Sequence, residues 1–63
     1  MNYSKILIKI RGTLDLSQEQ LGKMLNVSFA TINRWENGRS EPSKKHIFQI
    51  EKICSDNKIS ING

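Results

Sequence analysis

The groups that disulfide, metal and acid–base chemistry require are scarce in this chain. Its 63 residues hold one cysteine, one histidine and one proline. A lone Cys54 cannot close an internal disulfide, which points to a reducing, intracellular setting. His46 and Cys54 make a single pair of ligands with no second pair, below what a zinc site needs, and Cys54 reads as a small core residue. No Ser–His–acid or paired-carboxylate constellation is apparent, so no enzyme activity, metal or cofactor is expected. Long hydrophobic runs are missing too. The stretch "ILIKI" (residues 6–10) is interrupted by a lysine and is too short for a signal segment or a membrane span. No internal repeat or low-complexity tract is visible. A domain of this size buries only about 60% of its unfolded surface, which argues against a deep enclosed substrate pocket. Acidic charge is in the minority: six Asp and Glu face ten Lys and Arg, with a pI near 9.6. That surplus suits a polyanionic partner, nucleic acid before membrane, or else is simply a solvated basic surface.

What is present has helical spacing. In "NYSKILIKIRGTL" (residues 2–14), Tyr3, Ile6, Leu7, Ile10 and Leu14 recur at three- and four-residue steps. Ile8 breaks the stripe, and Gly12 weakens the last turn. In "LDLSQEQLGKMLN" (residues 14–26), Ser17 with Gln20 forms a capping box, and Leu16 with Leu21 a hydrophobic staple. Leu21, Met24 and Leu25 are expected on the buried face, with Asn26 as the left-handed residue that ends the helix. Ser28 then caps a third helix over residues 28–37, with Ile32 and Trp35 inward and Gly38 at its left-handed stop. So short a gap between the two helices forces a steep crossing, and Gly22 lets their backbones approach; the layout is a helix-turn-helix over residues 17–36. Pro42 keeps the next loop open, and Ser43 can cap a fourth helix carrying Ile47, Ile50, Ile53 and Cys54 inward. The tail "SDNKISING" (residues 55–63) reads as a loop with at most one short turn or helix. The expectation is one all-α domain over residues 3–61.

With Ile32 and Trp35 buried, the third helix leaves Ala30, Asn33, Arg34 and Asn37 on its other side, with Ser28 and Phe29 at its start. A B-form major groove is about 12 Å wide and accepts one helix. Arg34 suits guanine, Asn33 suits adenine, and Phe29, Ala30 and Thr31 offer apolar contact to thymine. Phe29 can equally pack inward at its own helix end. Phosphate donors are expected on both flanks: Gln18 at the start of the second helix, Asn37 and Arg39 after the third, and Ser43, Lys44 and Lys45 opening the fourth. The two lysines are either solvated or matched to an external anion, because cations at a helix N-terminus oppose its dipole. Glu36 is expected to pair with Arg11 where the first and third helices meet.

The stretch "LSQEQLGKMLNVSFATINRWENGRSEPS" (residues 16–43) resembles the helix-turn-helix domains of phage repressor and Cro proteins, the XRE family. The Leu-Ser-Gln opening, the Asn-Val-Ser turn, the Ile-x-x-Trp-Glu-Asn-Gly close and the Pro-Ser before the next helix match in register. The resemblance runs more loosely over residues 3–55. It implies a compact four- to five-helix bundle of the lambda-repressor-like type that binds double-stranded operator DNA, commonly as a homodimer on a two-fold site. By position it places Ser28, Phe29, Ala30, Asn33 and Arg34 at base edges. It places Gln18, Asn37 and Arg39 at phosphates, with Thr31 beside the backbone or a methyl, and makes Arg11–Glu36 a buried salt bridge; Ser43 and Lys44 are phosphate candidates from the residues themselves. It implies a transcriptional repressor of bacterial or phage origin in the cytoplasm. Departures are Gly22 where the family commonly has Ala, Phe29 where it often has a polar reader, and a fifth helix that is short or missing. Two other readings stand beside it: a protein-interaction module working through the apolar tail with Ile59 and Ile61, and a DNA-targeting domain of a larger modification enzyme.

Overall fold

The computed structural model describes residues 3–61. Asn2 of the first segment and Asn62 and Gly63 of the tail lie outside the described residues. Four helices follow one another: α1 (Tyr3–Leu14), α2 (Gln18–Leu25), α3 (Phe29–Glu36) and α4 (Lys44–Asp56). Among the described residues there is no strand, and no helix is long and apolar enough to cross a membrane.

The helix starts follow from local side-chain chemistry. Gln20 N donates to Ser17 Oγ at 3.0 Å, and Ser17 N donates to Gln20 Oε1 at 2.8 Å, so the capping box at α2 is complete. Ser28 Oγ accepts from Thr31 N at 3.2 Å at the start of α3. At α4, Ser43 takes the extended cap conformation, but its hydroxyl does not cap the backbone. It pairs instead with His46 Nδ1 at 2.8 Å.

All four helices stop by one device. A left-handed residue turns the chain, and the next N–H donates back to the carbonyl five residues earlier, the Schellman arrangement that satisfies orphan carbonyls. The turning residues are Asp15, Asn26, Gly38 and Lys58. The closing bonds are Leu16 N to Arg11 O, Val27 N to Gly22 O, Arg39 N to Arg34 O and Ile59 N to Cys54 O, all between 2.8 and 3.0 Å. Three of the closing residues, Leu16, Val27 and Ile59, are apolar, so each stop also directs a side chain toward the core.

The core joins Ile6, Leu7 and Ile10 of α1, Leu21 and Leu25 of α2, Ile32 and Trp35 of α3, Ile50 and Cys54 of α4, and Ile59. One expectation is corrected here. Met24 does not belong to the buried face of α2; it is 48% exposed. The buried residues of α2 are Leu21, Gly22 and Leu25. At 3.6 residues per turn, Met24 lies roughly 100° round the helix from the middle of that arc. The tail is a loop with one turn, as the sequence suggested, once α4 has run on through Ser55 and Asp56. Its turn at Lys58 folds the chain back, so that Ile59 is buried and Ile61 packs against the core, and Lys9 Nζ donates to Ser60 O at 3.3 Å. The apolar tail is therefore part of the fold.

Candidate nucleic-acid interface

α2 and α3 meet across a turn built for close approach. A Cβ on Gly22 would stand 2.7 Å from the Val27 carbonyl oxygen. That proximity sets the two helices against each other and fixes how α3 is presented. Ile32, Trp35 and Glu36 are the buried residues of α3. The rest of it looks outward: Phe29, Ala30, Asn33 and Arg34 are exposed, and Thr31 is half-buried. Phe29, for which either direction was open in the sequence, keeps 56% of its surface exposed.

Behind this outer face lies an ion pair. Arg11 Nε donates to Glu36 Oε2 at 2.7 Å and Arg11 Nη2 to Glu36 Oε1 at 2.8 Å, a two-pronged contact between α1 and α3. Glu36 is 9% exposed. Burial pushes its pKa up, but hydrogen bonds from Arg11 and Gln18, together with the Arg11 charge, outweigh burial and hold the carboxyl below its ordinary range. The pair raises the guanidinium of Arg11 in turn, through its hydrogen bond to Glu36. The one acid of α3 is thus turned inward and matched, and no carboxylate of this helix faces outward to repel a polyanion. Ser4 Oγ also donates to the Glu36 backbone carbonyl, tying the start of α1 to the end of α3.

The expected site residues divide into those free to meet a partner and those already engaged. Ala30 and Arg39 are exposed, as is Lys44 at the first position of α4. Arg34 is exposed and leans along its own helix, Nη2 donating to Thr31 Oγ1 at 3.3 Å. Ser28 and Thr31 share a hydroxyl–hydroxyl contact of 2.9 Å, so both serve the cap of α3. Ser43 is exposed but bonded to His46, whose ring lies 5.2 Å from that of Trp35 at a tilt of 55°. Asn37 follows α3 and donates from Nδ2 to Asn33 Oδ1 at 3.0 Å. Gln18 is half-buried, its Nε2 donating to Glu36 Oε1 at 3.0 Å. Its amide points toward the ion pair, not straight out along the expected phosphate track. The contact between Gln18 and Asn33 was not anticipated from sequence. The signal for it, two amides at the start of one helix and the middle of the next, is meaningful only once the crossing of α2 and α3 is known.

A two-helix unit closed by a short turn, with its second helix half sunk in the core and half presented as an acid-free exposed face, defines a helix-turn-helix module. Residues 7–55 match the family model described as Helix-turn-helix, and the chain belongs to that family, in the repressor and Cro (XRE) branch that its motifs resemble. It is 38% identical over 47 residues to the HTH-type transcriptional regulator DicA of Escherichia coli (strain K12), covering 71% of this chain and 35% of that protein. It is 34% identical over 55 residues to the HTH-type transcriptional activator BcrR of Enterococcus faecalis, covering 87% of this chain and 27% of that protein. The match therefore spans about a third of the length of the first curated relative and about a quarter of the second. No solved structure gives a significant match.

Proposed function

We propose that the chain is a sequence-specific double-stranded DNA-binding domain serving transcriptional control, without catalytic activity of its own, in the cytoplasm of a bacterium or encoded by a phage. The observation that carries this reading is the division of α3: Glu36 is buried and paired, while Phe29, Ala30, Asn33 and Arg34 stand exposed on the other side. In the major groove, Arg34 reads guanine, Asn33 reads adenine, and Phe29 and Ala30 meet thymine methyl groups, with Ser28 at the groove edge. Arg39, Asn37, Lys44 and Ser43 hold phosphates on one flank, with Thr31 beside the backbone, and Gln18 offers its backbone N–H on the other. Lys44 at the start of α4 opposes the helix dipole, a placement that a bound phosphate relieves. Repression is the mode assigned, and a homodimer on a two-fold site the assembly. The Cα body measures 26 × 23 × 19 Å, so two copies reading half-sites about 34 Å apart lie side by side on one face of the duplex.

The test is selection from a random duplex library at physiological salt, followed by affinity against salt for the winner. A symmetric consensus and a steep negative slope are expected. Arg34→Ala should weaken binding by about 1–3 kcal/mol and relax preference at one base pair, whereas Arg39→Ala should weaken all duplexes alike and reduce the salt slope by about one. No enriched sequence and a flat slope would overturn the reading.

A further inference from the structure

The amides between the ion pair and the outer face of α3 form one directed chain. Arg11 grips both carboxylate oxygens of Glu36 and prevents their rotation. An ionised carboxylate only accepts, so the edge of the Gln18 amide that faces it has to be the NH2 group, as observed at 3.0 Å. That turns Gln18 Oε1 toward α3, where Asn33 Nδ2 donates to it across 3.4 Å. Asn33 Oδ1 is thereby left to accept from Asn37 Nδ2 at 3.0 Å. Each link permits one polarity once the preceding link is set.

We infer that Gln18 is a positioning residue for base recognition: its side chain carries the orientation of the Glu36 carboxylate to Asn33 and fixes the order in which the Asn33 amide presents donor and acceptor. The inference rests on the DNA-binding reading above and gives the side chain of Gln18 a different task from the phosphate contact expected of it. An asparagine pairs with adenine by donating to N7 and accepting from the N6 amino group. Turned end for end in the same place, it sets acceptor against acceptor and donor against donor. Asn33 keeps its second amide hydrogen and its second carbonyl lone pair for that edge, and Gln18 blocks the turned state.

The experiment uses the selected duplex and its single-base variants with four proteins: wild type, Gln18→Met, Asn33→Ala and the double variant. Gln18→Met should reduce discrimination about tenfold at the base pair where Asn33→Ala abolishes it. It should leave preference elsewhere and the salt slope unaltered, because the backbone N–H of residue 18 remains. In the Asn33→Ala background it should change base preference no further, since it acts through Asn33. Gln18→Ala, added as a fifth protein, should behave like Gln18→Met, thermal melting confirming that each protein is folded. A uniform loss across all duplexes with a slope shallower by about one marks a phosphate clamp and overturns the inference. Additive effects in the double variant overturn it as well. Both results leave DNA binding standing, whereas a wild-type chain that selects no sequence removes the parent reading and the inference together.

Discussion

On the inner side of α3, Ile32, Trp35 and Glu36 have at most 9% of their surface left to solvent; on the outer side Phe29 keeps 56%, and Ala30, Asn33 and Arg34 are exposed with it. Eight residues thus answer to two different constraints. The inner residues are fixed by what they touch in α1 and α2, and their chemistry is that of a core with one matched charge. The outer residues contribute little to the fold, so stability does not dictate their identity. A phenylalanine that the fold leaves in water is the plainest sign of this freedom. Interior side chains of such a helix report on folding, and exterior ones on what the helix meets.

The sharpest way to break this contrast is to truncate one residue on each side. Ile32 is wholly buried, so Ile32→Ala should lower stability by about 2–5 kcal/mol through lost burial and a residual cavity. Phe29→Ala removes more atoms and should stay within about 0.5 kcal/mol of wild type, because more than half of that surface is already hydrated. Urea unfolding decides it; similar losses at both positions would mean that α3 is packed on both sides.

Next in size is the ion pair on the inner side. Arg11→Met strands the Glu36 carboxylate in the core, with Gln18 as its remaining side-chain donor, and should lower stability by about 2–3 kcal/mol at neutral pH. The pH dependence gives the sign. In the wild type, the folded-state pKa of Glu36 lies below its ordinary value of 4.5. Its contribution is therefore complete above that value and is lost as pH falls below it. Without Arg11, burial outweighs what remains and pushes the carboxyl up, so the variant regains relative stability as Glu36 takes a proton. The gap between the two proteins should narrow from neutral to acid pH, and a gap that stays constant would dissociate the pair from stability.

These two sides of α3 were not equally legible in the sequence. Signals that act within one helical turn were readable: the Ser17–Gln20 box, the Ser28 cap, and the left-handed stops at Asn26 and Gly38. The spacing of Ile32 and Trp35 located the inner side, and the meeting of α1 and α3 located Arg11 beside Glu36. Met24 was misplaced because an eight-residue helix offers two overlapping apolar arcs, and only the position of α3 against Gly22 chooses between them. The stops at Asp15 and Lys58 were invisible because neither residue favours the left-handed region as glycine does, and with Lys58 went the burial of Ile59. The Gln18–Asn33 contact depends on the crossing of two helices, which no local pattern encodes.

The finest version of the comparison uses two glycines, one on each side of the protein's surface. Both lie within helices, where alanine is favoured over glycine by up to about 1 kcal/mol. Gly12 is exposed, and an added Cβ meets nothing within 4 Å, whereas at Gly22 it meets the Val27 carbonyl oxygen at 2.7 Å and the Ser28 backbone at 3.4 Å. A backbone oxygen cannot swing aside as a side chain can. On the other side of its Cα, Val27 is moreover anchored by its N–H bond to the Gly22 carbonyl at 2.8 Å. Gly22→Ala must therefore push α2 and α3 apart, and the overlap should exceed the propensity gain, for a net loss of about 1–2 kcal/mol. Gly12→Ala should gain up to about 1 kcal/mol. Opposite signs in thermal melting are the expected outcome, and equal stabilisation would mean that α2 and α3 do not approach this closely. The same displacement would widen the 3.4 Å contact between Gln18 on α2 and Asn33 on α3, so Gly22→Ala should also blur the base preference assigned to Asn33, whereas Gly12→Ala should leave it intact.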